Sequence, residues 1–417
     1  MNNPRNRYRV HTSAFFGDTS LELRFPDIWD VIECKMSGHD EPPLTDNQIQ
    51  SKLANPIGSK RLSELAKNSK EAVLIVDDLT RPTKASRLLP FILEELNQGG
   101  IFDDHIRVVI GTGTHGPLTL EHIVKKIGEE IAEKIPVYNH NPWEQTVYLG
   151  KTSRGTPVSI NREVMECDLK IAISSIRGHS MAGYTGGAKM ILPGVASIDT
   201  VYANHRLMAL GTSGTGKLKN NALRLDMEEA ARIAGLDFIV NAVLSGTCDP
   251  IDLFCGDVVA AHREGAKRAR EVYSTEIVRD GDIVVSNAYP GEEEAYGAPL
   301  RFANESIKKG GIIVILNYCP PGQVVHYLYG KWGSKYGGRF FTWPQKTMAP
   351  KASKVIIVNP YPHKVDEWRF GKPEQIVCKK SWDEAVTELM NDYSKDAKVV
   401  LYPYSYIQSS RNELHKE

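Results

Sequence analysis

A series of continuous apolar runs, most of them separated by segments with helical periodicity, constrains this chain more than any other feature. They fall at 71–77 (EAVLIVD), 106–110 (IRVVI), 168–176 (DLKIAISSI), 237–244 (DFIVNAVL), 282–286 (DIVVS), 311–316 (GIIVIL), 354–358 (KVIIV) and 398–402 (KVVLY). Strands that read as near-continuous Val, Ile and Leu are buried on both faces, as in a parallel sheet covered by helices. Helical patterns lie at 86–97, 120–133, 225–234, 257–271, 298–309 and 382–393, with Thr119 and Ser381 placed as N-caps. The class predicted is α/β, with two domains built on doubly wound, mostly parallel sheets and an active site in the cleft between them. A chain of 417 residues is long for one core. The polar stretch 273–282 (YSTEIVRDGD) suggests an N-terminal domain over 1–273 and a C-terminal domain over 274–417, whose last residues are free to pack back on the first.

Charge and cysteine usage narrow the partners. Acidic and basic residues balance at 51 each, so no net field draws the chain to nucleic acid or an anionic membrane. The start, MNNPRNRYRVHTS, has no apolar core of a signal peptide, and no apolar run is long enough to span a membrane. Cys34, Cys167, Cys248, Cys255, Cys319 and Cys378 are scattered with no CxxC pair, which points to reduced thiols and against a zinc ribbon or iron–sulfur cluster. A cytoplasmic protein with a small-molecule partner is expected. Homo-oligomerisation stays open.

The polar motifs share one placement. VDDLTRP (76–82) follows the first run, GTGTHGP (111–117) the second, SIRGHSMAGYTGGAK (175–189) the third, and SNAYPGEEEAYG (286–297) a later one. In open α/β sheets ligands bind beyond the carboxyl ends of the strands, where such loops gather. Asp78, Thr80, Arg81, His115, His179 and Lys189 are therefore expected to line one cleft. Gly111, Gly113, Gly186 and Gly187 would let the backbone approach a bulky or phosphorylated ligand. Lys189 suits a phosphate contact or a covalent link, and the histidines suit acid–base work or metal ligation. Arg81 suits an oxyanion or carboxylate held bidentately.

Each has a structural alternative when taken singly. An Asp77 or Asp78 pair with Arg81 also makes a local turn, GTGTH is also a plain tight turn, and His179 or His205 (YANHRL) also serves as a packed histidine. The segment GTSGTGK (211–217) comes close to a phosphate-binding P-loop, but Leu218 stands where a magnesium-binding Ser or Thr is needed. The residues before it read as helix instead of strand, so these glycines are expected to form a mobile loop.

Taken together, DxTRP, GTGTHxP, HxxxGYxGGxK, the following LPG and the Asn204–His205 pair resemble the lactate racemase family over roughly residues 10–400. The resemblance implies a nickel-pincer nucleotide cofactor (pyridinium-3,5-bisthiocarboxylic acid mononucleotide) linked through a thioamide to Lys189, with His205 completing a square-planar Ni site. It also implies His115 and His179 as the acid–base pair, with Asp78, Thr80 and Arg81 on cofactor phosphate or substrate, and cofactor-maturation enzymes as partners. The implied reaction inverts C2 of a 2-hydroxy acid. One histidine takes the hydroxyl proton as hydride moves to the cofactor, leaving a planar 2-keto acid, and hydride and proton return to the other face.

The sequence departs from that pattern where lactate-active members resemble YQxxK: Tyr296 is kept, but Gly297 and Leu300 replace the glutamine and lysine. Loss of the lysine, together with the acceptors Glu292, Glu293 and Glu294, suggests a larger, polyhydroxylated substrate such as an aldonate. The acidic run is equally read as a solvated helix start. Arg301 offers an alternative carboxylate contact, and malate-like acids stay open. So do an NAD-type hydroxy acid dehydrogenase, although no GxGxxG follows a strand, and a non-catalytic cofactor-binding protein.

Overall fold

The computed structural model describes residues 6–17, 20–294, 297–328, 349–363 and 373–411. In chain order the sheet strands are β1 (Asp30–Glu33), β2 (Ala72–Asp77), β3 (Ile106–Gly111), β4 (Val137–Asn139), β5 (Leu169–Ser175) and β6 (Phe238–Leu244). They continue with β7 (Pro250–Gly256), β8 (Gly281–Asn287), β9 (Ile307–Leu316), β10 (Lys354–Val358), β11 (Ile376–Lys379) and β12 (Lys398–Tyr402). The helices that matter here are α1 (Leu89–Gln98), α2 (Leu120–Ile127), α3 (Glu129–Lys134), α4 (Ile198–His205), α5 (Ala222–Ala234), α6 (Ala260–Val272), α7 (Ala298–Ser306) and α8 (Trp382–Asp392).

Two compact units result, each built on a six-stranded sheet. The first sheet runs β7-β6-β5-β2-β3-β4 and is parallel except for β7, which pairs antiparallel to β6. The chain winds from β2 through β3 to β4, then returns to the other side of β2 at β5. The β2–β5 junction is therefore the point where strand order reverses, and a crevice opens there beyond the carboxyl ends. The second sheet is all parallel in the order β11-β10-β9-β8-β12-β1 and reverses between β8 and β12.

Continuous apolar strands follow from helices on both faces. Ile283 and Val285 of β8 pack with Trp382, Ala385 and Leu389 of α8. Between them in sequence, Val284 packs the opposite way, with Leu300, Phe302 and Ala303 of α7. In the first unit Val73, Ile75, Ala172 and Ile239 share a cluster with Leu223, Met227 and Ala230 of α5.

The expected division of the chain needs correction. It passes from the first unit to the second between Val272 and Tyr273, but residues up to His39 also belong to the second. The reason is β1, whose Asp30–Glu33 pairs in parallel with Lys398–Leu401 of β12. Conversely, residues 325–328 return to the first unit. Near the chain's end, Ser409–Ser410 pairs with Ser274–Thr275 inside the second unit. The helix expected over 120–133 is broken at Gly128, whose φ of 88° is left-handed, and continues as α3. Among the described residues no helix is long and apolar enough to cross a membrane.

Candidate active site

At the carboxyl end of β2 the DDLTRP turn is braced from within. Asp78 Oδ1 accepts the Thr80 amide at 3.1 Å and the Thr80 hydroxyl at 2.5 Å, and Arg81 Nη1 donates to Thr80 Oγ1 at 2.9 Å. Beneath lies Lys126 of α2, with no exposed surface. Its ammonium sits 2.6 Å from the Asp77 carboxylate and donates to the carbonyls of Asp78 (3.0 Å) and Arg81 (2.8 Å). Thr83 Oγ1 donates to Asp77 Oδ2 at 2.7 Å and accepts from the Ser175 hydroxyl at 2.9 Å, tying this turn to the end of β5. Burial raises the Asp77 carboxyl and lowers the Lys126 ammonium, each opposed by the other's charge.

The loop after β3 brings His115 onto Asp78. His115 Nδ1 lies 2.6 Å from Asp78 Oδ2, and both residues are buried. Burial alone would raise the Asp78 carboxyl. The charge and hydrogen bond of His115, with Arg81 and Thr80, outweigh it and hold the group below the usual carboxylate range. A carboxylate on Nδ1 fixes the tautomer with Nδ1–H, leaving the Nε2 lone pair available as a base. Residues 325–328 line the other edge of the loop. Gly116 donates to Val325 O at 2.9 Å and Tyr327 to Thr114 O at 2.8 Å. This pairing sets His326 opposite His115, with ring centroids 4.9 Å apart. Sequence reasoning missed Lys126 and His326. The first looks like a helix lysine, and the second carries no local motif and comes from 211 positions further along the chain.

After β5 the chain forms a small hairpin in which Gly178 faces Tyr184 and His179 faces Gly183. His179 Nδ1 accepts the amides of Met181 and Ala182, each at 3.2 Å, so the neutral ring carries its proton on Nε2. The glycines that follow serve the loop's own packing. At Gly186 a Cβ would stand 2.8 Å from Asn241 Oδ1, and at Gly187 2.8 Å from both Arg224 Nη2 and the His262 ring. Their φ angles are 75° and 59°. Asn241 Oδ1 accepts the Gly187 amide at 2.9 Å, and fully buried Arg224 donates to the carbonyls of Tyr184 and Gly186. The near-P-loop at 211–217 is hydrogen-bonded to its surroundings: Gly216 donates to Gly183 O at 3.0 Å, and Asn221 Nδ2 to Lys217 O at 3.1 Å. As expected, helical turns precede it.

Lys189 is half-buried on the 3₁₀ turn Gly187–Met190. His205 is the last residue of α4, which starts at the Ser197 N-cap and is anchored at its end by Asn204 Nδ2 donating to Leu223 O and Asp226 Oδ2. His205 Nδ1 is sealed from solvent with no hydrogen-bond partner of good geometry. Burial lowers this imidazole to about 4, aided by the nearby Lys189 charge and weakly opposed by the Val201 carbonyl. The structure thus brings together Asp78, Thr80, Arg81 and His115. It also sets Lys189 within the electrostatic reach of His205.

The second-unit residues behave differently from expectation. The acidic run is a 3₁₀ turn, not a solvated helix start. Glu292 is buried; its Oε1 accepts the Ala14 amide at 3.1 Å and its Oε2 has no partner. Burial pushes the carboxyl up to about 7 despite hydrogen bonds from Ser13 and Ala14. Tyr406 donates to the Glu294 carboxylate at 3.0 Å, while the Glu293 carbonyl accepts the Val324 amide. Arg301 donates to Gln408 O at 2.7 Å with its guanidinium over the Phe302 ring, and Leu300 is a core residue. Gly297 is exposed, with open space where a Cβ would stand. Tyr296 lies outside the described residues.

Residues 16–216, which carry all the strand-end motifs of the first unit, match the lactate racemase N-terminal domain. The lactate racemase of Thermoanaerobacterium thermosaccharolyticum is 31% identical over 318 residues, 74% of each chain. That of Lactiplantibacillus plantarum is 36% identical over 276 residues, 64% of this chain and 65% of the relative. The structure of the T. thermosaccharolyticum lactate racemase apoprotein superposes with a TM-score of 0.72 at 26% identity, covering 97% of this chain and 100% of that one. With the motifs inside the matched region and the fold shared over nearly the whole length, the chain belongs to the lactate racemase family.

Proposed function

We propose that this protein is an isomerase, a racemase or epimerase that inverts C2 of a 2-hydroxy acid. The observation that carries the reading is the Asp78–His115 pair at the point where the first sheet reverses its strand order. His115 Nε2 takes the substrate's hydroxyl proton, and the Asp78 carboxylate stabilises the imidazolium that forms. Arg81, on the same turn, supplies a fixed positive charge for the substrate's carboxylate or a phosphate. His179 returns a proton from the other side. To carry that proton it must release the Met181 and Ala182 amides now bonded to Nδ1.

Lys189 and His205 fit a nickel-pincer nucleotide. The amine suits a covalent link, and the sealed, unpartnered Nδ1 of His205 is an imidazole kept neutral and ready for a metal. When bound, the group supplies reversible hydride acceptance at C2. A substrate larger than lactate, such as an aldonate, is supported by the absence of a lysine at 300. The buried Glu292 no longer contributes to that argument.

The test is the mass of the Lys189 peptide and the nickel content of protein made with the cofactor-maturation enzymes, followed by an epimerisation screen of 2-hydroxy acids, aldonates first. A lysine adduct, stoichiometric nickel and inversion at C2 are expected. Unmodified lysine beside a lactate racemase control that matures normally would overturn the reading.

A further inference from the structure

Helix α5 is buried on more than one side, and several of its buried residues are polar. Its N-cap Asn221, Arg224 and Asp226 have no exposed surface, and Glu228 is buried as well. Charged groups in such a place are costly to desolvate, and apolar residues of the same volume are often neutral or stabilising there. What a hydrogen-bonding group adds is direction, and on α5 each of these groups directs a different neighbour.

Asn221 Nδ2 donates to Met181 O at 2.8 Å, in the turn of the His179 hairpin. Arg224 is held from behind by Glu228 Oε1, 2.9 Å from its Nε, and that oxygen also lies 2.7 Å from Arg263 Nη2. Arg224 Nη1 donates to the carbonyls of Tyr184 (3.3 Å) and Gly186 (3.2 Å), in the loop leading to Lys189. Asp226 lies two residues on, about 200° around the helix. Its Oδ1 accepts the Thr152 hydroxyl at 2.6 Å, and its Oδ2 accepts the Thr156 hydroxyl at 2.8 Å and Asn204 Nδ2 at 2.9 Å. Asn204 precedes His205 in the last turn of α4. One helix thus packs against both the turn that carries Lys189 and the helix that ends in His205.

We propose that α5 is the spacer that fixes Lys189 relative to His205, with Arg224 and Asp226 as its positioning residues. Arg224 acts on Lys189 through the Tyr184 and Gly186 carbonyls, and Asp226 acts on His205 through Asn204. The inference rests on the reading that these two residues hold one nickel-pincer nucleotide. A rigid group held at two points tolerates little error in the distance between them, and the groups behind the ligands set that distance.

The test uses the full chain with Arg224→Lys, which keeps a charge beside Glu228 but loses the guanidinium fork, and Asp226→Asn, which keeps the shape but loses an acceptor oxygen. In the cofactor-free chain, Arg224→Lys is expected to change the rate at which acetic anhydride labels Lys189, read by peptide mass. It should leave the 15N resonances of His205 in place. Asp226→Asn is expected to do the reverse. In protein made with the maturation enzymes, Arg224→Lys should lower the fraction of Lys189 peptide carrying the adduct about 10-fold. Asp226→Asn should keep the adduct but lose nickel to EDTA about 10-fold faster. That split supports the proposal. Any other pattern overturns it, including a parallel loss of both readouts in step with a lowered urea midpoint, which is what a merely structural role would give.

The cofactor-free readouts stand apart from the racemase reading. Wild type that takes up neither adduct nor nickel sinks that reading, while the labelling and resonance split still decides the present one. Wild type that loads and inverts C2, with variants that show no split, sinks only the present one. If either variant fails to fold, Glu228→Gln, which loosens Arg224, and Thr156→Val, which removes a donor from Asp226, carry the same comparison.

Discussion

Asp78 holds three donors with two oxygens: the amide and hydroxyl of Thr80, and Nδ1 of His115. Replacing it with Asn would substitute an amide N–H that can donate to Nδ1, moving the imidazole proton to Nε2 and removing the base. Asp78→Asn is therefore expected to lower kcat about 100-fold or more, with cofactor attachment at Lys189 retained. Peptide mass and steady-state kinetics on one preparation check both halves. The two histidines proposed as the acid–base pair should also differ at rest. 15N shifts of the cofactor-free chain should show His115 protonated on Nδ1 and His179 on Nε2. Matching tautomers would contradict the hydrogen bonds that hold them.

Among elements, the strands of the two six-stranded sheets that the sequence hides share a position. β4 and β7 bound the first sheet, and β1 and β11 bound the second. Edge strands are partly solvated and need no continuous apolar run; Val137–Asn139 and Asp30–Glu33 contain no fully buried residue. The interior strands were legible because helices cover both their faces. The clustering of Asp78 with His115 was legible because each lies on a loop that leaves an interior strand. The site was hidden where tertiary structure supplies the neighbour, as with Lys126 and His326. At Gly186 and Gly187, Asn241, Arg224 and His262 occupy the space a side chain would need, which the sequence did not reveal. Gly187→Ala is expected to cost about 1–3 kcal/mol, read as a lowered urea midpoint, together with reduced loading of Lys189. Lys126→Met leaves Asp77 buried without its cation and should cost about 3–5 kcal/mol in the same measurement.

For the molecule as a whole, buried neutral histidines set an acid limit on stability. His140 is buried, with Nε2 2.9 Å from Ala196 O and Nδ1 accepting from Asn161, and burial lowers it from 6.5 to about 4. Between those values the unfolded chain binds a proton that the folded chain refuses. The contribution is thus complete above about pH 6.5 and is lost as pH falls toward 4, on the order of 3 kcal/mol. His262, also lowered by burial, adds in the same direction. Urea midpoints at pH 7 and pH 5 should fall for wild type and fall less for His140→Gln. The two-unit division gives a second expectation. Deleting the residues up to His39 removes β1 from a sheet whose other strands all lie beyond residue 280. Limited proteolysis should then open the second unit before the first.

The return of residues 325–328 to the first unit has a consequence for how the protein is made. As the chain leaves the ribosome, residues 40–272 emerge with every strand of the first sheet, so that core can fold early. His115 then lacks the neighbour that closes its loop until some fifty further residues have been translated. Any maturation step that reads the finished pocket must wait for that late arrival. A nascent or truncated chain ending before 325 would present a folded sheet with an unfinished GTGTH loop.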